Sequence, residues 1–94
     1  MTRTEFTYGQ LDKVLRSFGL SSRLINGEPP ARAYEHPEYG LLFTVPTFPM
    51  TDRVLDYHLI AARTLLDQFG VADQKTFDAK LRKAGGGRAG KVRK

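Results

Sequence analysis

The chain contains no cysteine. Disulfides and thiolate chemistry are therefore excluded, and the absence agrees with a reducing compartment. No apolar run approaches the roughly 18 residues that a membrane span needs, and the opening MTRTEFTYGQ lacks the apolar core of a signal peptide. A cytoplasmic location, away from membranes, is the expectation. Histidine is scarce, with only His36 and His58 in the chain. A zinc site would need carboxylates for its remaining ligands, and these stand at unremarkable spacing. No Gly-rich phosphate loop precedes a helix either, since Gly85 to Gly87 run into Arg88 and a tail. No metal or cofactor is expected.

What is present describes one small domain. Ninety-four residues suffice for a single core that buries about two-thirds of the unfolded surface, too little to enclose a deep substrate cavity. The hydrophobic share of 40% and charged share of 27% are those of an ordinary globular chain. Net charge is +5, but four of those charges are Arg88, Lys91, Arg93 and Lys94, so residues 1–83 carry only +1. The division that follows is a nearly neutral domain at 1–83 and a Gly-rich basic tail at 84–94. The tail is expected to be disordered and able to touch phosphates without sequence preference.

Local signals order the elements. Thr7 with Gln10 three residues on makes a capping box, and Phe6 can staple onto Leu11. Leu11, Val14, Leu15 and Phe18 then share one helical face, Asp12, Lys13 and Arg16 lie on the other, and Gly19 is placed to end the helix. Ser22 to Ile25 reads as a short strand, followed by a connection through Asn26-Gly27 and two prolines. Ala31 to Glu35 and Leu41 to Val45 read as a hairpin around His36-Pro37-Glu38-Tyr39-Gly40, where Pro37 fixes φ and Gly40 can take φ > 0. In its second strand Leu41, Phe43 and Val45 point one way, supplying an apolar face for a helix. The segment PTFPMTDR reads as a loop. Leu55, Leu59, Ala62, Leu66 and Phe69 then mark a long amphipathic helix capped at Thr51 or Asp56, and a last helix from Asp73 buries Phe77 and Leu81. The order predicted is α-β-β-β-α-α.

An α-β-β-β-α core, here with an extra short C-terminal helix, is the order of the double-stranded-RNA-binding-like α+β fold. Three stretches point to one family built on it. Tyr34-Glu35-His36-Pro37, Gly40 and Thr44-Val45-Pro46 resemble the hairpin of the HicA toxins, mRNA interferases whose second strand commonly ends in Tyr-x-His-Pro and whose third ends in Thr-Val-Pro. Arg63 to Val71 is similar to that family's C-terminal helix, and Gln10 to Leu20 to its first helix. The resemblance implies RNA as ligand and an antitoxin-like protein as partner. The HicA second strand also begins with a catalytic histidine, and in this chain Pro29-Pro30-Ala31-Arg32 occupies that place. RNA cleavage through a 2′-hydroxyl requires a group that exchanges protons near neutral pH, which neither alanine nor arginine does.

A noncatalytic RNA-binding domain is therefore the leading expectation. Arg23, Arg32, Tyr34, Arg53 and Arg63, with Arg88, Lys91, Arg93 and Lys94 of the tail, are its candidate contacts to phosphates and 2′-hydroxyls. A second expectation is a protein-interaction module of the toxin–antitoxin type with Phe48 and Met50 as apolar contacts, although these could equally cover the edge of the core. A third is an mRNA interferase whose chemistry has moved to His36, a residue that a hydrogen bond within its own turn explains as simply. For His58, a partly buried or helix-capping position is expected.

Overall fold

The computed structural model describes residues 3–84. The elements are β1 (Arg3–Thr7), α1 (Tyr8–Ser17), β2 (Ser21–Ile25), β3 (Ala31–His36), a 3-10 turn (Pro37–Tyr39), β4 (Leu41–Pro46), β5 (Arg53–Leu55), α2 (Asp56–Gln68) and α3 (Gln74–Ala84). Strands β2, β3 and β4 form an antiparallel sheet in sequence order, and β1 pairs with β5 in a separate two-stranded ladder. The domain is thus a small α+β fold built on a three-stranded antiparallel meander.

Local chemistry sets most of these boundaries. The Gln10 N–H donates to Thr7 Oγ1 at 3.2 Å and the Thr7 N–H donates to Gln10 Oε1 at 2.8 Å, completing the capping box of α1. Helices α1 and α2 end alike. Gly19 and Gly70, at φ 94° and 80°, follow Phe18 and Phe69, and the next N–H groups, of Leu20 and Val71, reach back to the carbonyls of Leu15 and Leu66. These are Schellman closures, which need the left-handed backbone that glycine adopts without steric cost. Asp73 accepts from the Thr76 N–H at 2.8 Å and caps α3, and hydrogen bonds from the Thr76 hydroxyl and then from that N–H lower the pKa of its carboxyl.

The hairpin has the expected facing. Leu41, Phe43 and Val45 are buried while Leu42 and Thr44 face solvent, and Gly40, at φ 71°, closes the turn by donating to the Pro37 carbonyl. On β3, Tyr34 lies opposite Phe43 and joins the buried face, whereas Ala33 lies opposite Thr44. Helix α1 meets β2, α2 meets β4, and α3 packs on both helices. One core results, running from Tyr34, Phe43 and Val45 of the sheet through Leu11, Leu15, Ala62 and Leu66 to Phe77 and Leu81. Among the described residues, no helix is long and apolar enough to cross a membrane.

Three expectations change. The predicted order lacked a strand before the first helix, yet Arg3–Thr7 pairs with Arg53–Leu55, inside and just beyond the stretch read as loop. A three-residue strand is too short for alternation to reveal it, and the ladder is irregular between Arg3 and Thr7. Because β5 occupies residues 53–55, α2 cannot begin at Thr51. Asp56 is its first residue, not its cap, and Leu55 holds the cap position without a side-chain hydrogen bond.

Candidate nucleic-acid interface

The five cationic and aromatic candidates of the folded body do not share a surface. Tyr34 is only 3% exposed, and its hydroxyl donates to Asp12 Oδ1 at 2.7 Å, tying β3 to α1. Burial, together with that carboxylate, raises its pKa. A buried, committed phenol offers nothing to RNA. Arg23 lies on the opposite, outer face of the sheet and pairs with Glu35 at 3.0 Å. Arg32 is half-buried beside Tyr34 on the inner side, and Arg53 sits exposed on β5, in the separate ladder. Arg63 donates through Nε and one terminal nitrogen to both oxygens of Asp78, at 3.0 Å each, and so links α2 to α3. Such forked pairing holds the guanidinium in place. The candidates Arg88, Lys91, Arg93 and Lys94, and the expected disorder of their tail, lie outside the described residues.

Of the partner and enzyme candidates, Phe48 and His36 are likewise absorbed by packing. Phe48 is partly buried and stacks on Tyr8 with ring centroids 4.7 Å apart, so it covers the core edge, and only Met50 remains at the surface. His36 wedges between the hairpin and the end of α1. Its ring meets Tyr39 edge-on at 4.7 Å, its Nε2 lies 2.9 Å from where a Cβ on Gly19 would stand, and its Nδ1 is buried without a hydrogen-bond partner. No carboxylate or hydroxyl among the described residues bonds to the ring, so no acid–base pair forms there. Among the described residues, no group of three His, Asp or Glu side chains gathers as metal ligands.

His58 is the buried histidine, 7% exposed in the first turn of α2. The Leu55 N–H donates to the Tyr8 hydroxyl at 3.2 Å, and that hydroxyl shares a hydrogen bond with His58 Nδ1 at 2.8 Å. Burial, with the Arg3 charge nearby, lowers its pKa from the ordinary 6.5, so the fold favours the neutral ring. Stability contributed by this group is complete above about pH 6.5, where the unfolded histidine is also neutral, and is lost as pH falls from there through the lower folded pKa. Denaturant midpoints should decline between pH 7.5 and 5, and His58→Gln should flatten that decline. An equally steep decline in the variant would assign it to another group.

The surface feature that composition concealed is a groove of about 600 Å³ between α1 and α3. Val14, Ala79 and Ala84 supply its apolar lining, Ser17 and Thr76 supply hydroxyls, and Lys13, Lys80 and Lys83 supply cations. Among the described residues, no carboxylate lines it. The acids on these two helices are committed elsewhere, Asp12 to Arg16 and Tyr34, and Asp78 to Arg63. Lys13, Lys75, Lys80, Arg82 and Lys83 belong to no ion pair among the described residues. Lys80 is further steadied over the Phe18 ring, with Nζ 5.4 Å from its centroid. Lys13, Lys80 and Lys83 thus meet at one groove, while Arg3, Arg32 and Arg53, also outside any ion pair among the described residues, lie on β1, β3 and β5. The sequence signal available was the Lys80/Lys83 spacing on one side of α3, but only the docking of α3 on α1 adds Lys13. No family model, curated protein or solved structure matches this chain.

Proposed function

We propose that this domain is a noncatalytic RNA-binding module that holds phosphates with the lysines of α1 and α3 and with the basic C-terminal residues. The observation that carries the reading is the convergence of Lys13, Lys80 and Lys83 on one groove. Five cations on two adjacent helices are free of ion pairs among the described residues, and the chain beyond α3 continues with Arg88, Lys91, Arg93 and Lys94. A polyanion is the ligand class that such an array attracts, because phosphates release condensed counterions when lysines neutralise them.

The fold supports the same reading by analogy. From α1 to α2 run a helix, a three-stranded antiparallel meander, the short β5 of the separate ladder and a helix, which apart from β1 and β5 is the order of double-stranded-RNA-binding-like domains, to which we assign this chain. The hairpin from Tyr34 to Pro46 supports descent from a HicA-like ancestor, with Ala31 and Arg32 where that family carries its histidine. Such analogy bears on fold more than on ligand, so the charged face is the stronger ground. It also moves the interface from the strand arginines to the helices.

A salt titration of structured-RNA binding by the full chain tests this. Four tail cations alone can give a log–log slope no steeper than about −4, and engagement of the helical lysines should make it steeper. A slope of about −4 or shallower would confine binding to the tail and end the proposal for the folded face.

A further inference from the structure

We infer that the groove between α1 and α3 is a pocket for a single unstacked nucleobase, so that the domain selects RNA with a looped-out or single-stranded nucleotide over perfectly paired duplex. This rests on the RNA-binding reading above and names the kind of RNA that would satisfy it. A surface that only tracks phosphates needs cations and no apolar concavity. Here the cations ring one. Val14, Ala79 and Ala84 give apolar contact for the flat face of a base, and the Thr76 hydroxyl, whose proton is engaged by the Asp73 carboxylate, keeps oxygen lone pairs that can accept from a base edge. Ser17 donates its proton to the Val14 carbonyl at 2.6 Å, leaving its oxygen as an acceptor only. Lys13 approaches from α1 and Lys80 and Lys83 from α3, so the phosphates on either side of an inserted base would both meet positive charge.

Size separates this occupant from a protein partner. A stable protein interface takes about 20–30 residues on each side, whereas among the described residues Lys13, Val14, Ser17, Thr76, Ala79, Lys80, Lys83 and Ala84 form the lining. A volume of about 600 Å³ is that of a small-molecule site. A base already out of the stack enters it without the few kcal/mol that extrusion from a duplex costs.

The test compares two RNA hairpins that differ by one looped-out nucleotide carrying a fluorescent purine analogue, each titrated with the full chain and with Ala79→Phe. Ala79 is solvent-exposed on α3, so a larger side chain can project into the groove without entering the core. The native chain should bind the looped-out hairpin roughly 10-fold more tightly and change the analogue's emission. Ala79→Phe should remove that preference and the emission change while leaving affinity for the fully paired hairpin within about twofold. Equal native affinity for both hairpins, or an Ala79→Phe chain that keeps the preference, overturns the base pocket and leaves phosphate binding standing. Failure of the native chain to bind either hairpin at low salt overturns the RNA reading itself. An acidic amphipathic peptide that bound in their place would assign the groove to a protein partner.

Discussion

Phe77→Ala is expected to lower the free energy of unfolding by about 3–5 kcal/mol. Phe77 has no solvent exposure and sits near-parallel to Phe18, with ring centroids 6.4 Å apart. Apart from Leu81, it is the only fully buried side chain by which α3 enters the core. Truncation would leave a cavity between the helices, because the packing around a removed ring relaxes only in part. The other tether between α2 and α3, the Arg63–Asp78 pair, is more than a third exposed and supplies at most about 1 kcal/mol. A domain of this size has roughly 5–15 kcal/mol in all, so most of the margin would be gone. Urea unfolding checks it. A loss below about 1 kcal/mol would mean that α3 does not unfold with the rest, and the groove it forms with α1 would then be a transient feature.

What the sequence disclosed and what it concealed divide along a physical line. Elements specified by their own residues were legible. Thr7 and Gln10 cap a helix wherever it lies, Gly19 and Gly70 stop one, and Leu41, Phe43 and Val45 choose a face by alternation alone. The meander followed from Asn26-Gly27 and Gly40. The ladder between β1 and β5 was not legible, because its pairing joins residues about fifty positions apart and each strand is too short to show a period. The surroundings of the candidate site residues were hidden for a related reason. Tyr34 looked like a strand aromatic free to face a ligand, but its partner Asp12 lies on a helix whose orientation no local pattern fixes. Arg23 and Arg63 looked available until Glu35 and Asp78 came beside them. Lys13 fell on the polar face of the first helix, and Lys80 and Lys83 carried no local signal beyond their spacing. Their convergence is a property of helix packing, and a count of charges along the chain averages it away.

The second large effect is on affinity, and it bears on the central claim that the α1–α3 lysines, not the strand arginines, hold RNA. Lys13→Gln, Lys80→Gln and Lys83→Gln together remove three cations from the groove while keeping good helix formers at solvent-exposed positions. Stability should change by no more than about 0.5 kcal/mol per site. If each lysine contributes about 1 kcal/mol through a phosphate contact, affinity falls by roughly 100-fold and the salt slope loses about 2 to 3. A matched variant carrying Arg23→Gln, Arg32→Gln and Arg53→Gln loses the same formal charge from the sheet and β5. Net charge alone would weaken both proteins equally. The deciding measurement is therefore the affinity of these two full-length variants for one structured RNA, at one salt concentration, beside the native chain. The lysine variant is predicted to lose roughly 100-fold and the arginine variant less than about threefold. Equal losses, or a larger loss in the arginine variant, would contradict the assignment of the interface to α1 and α3.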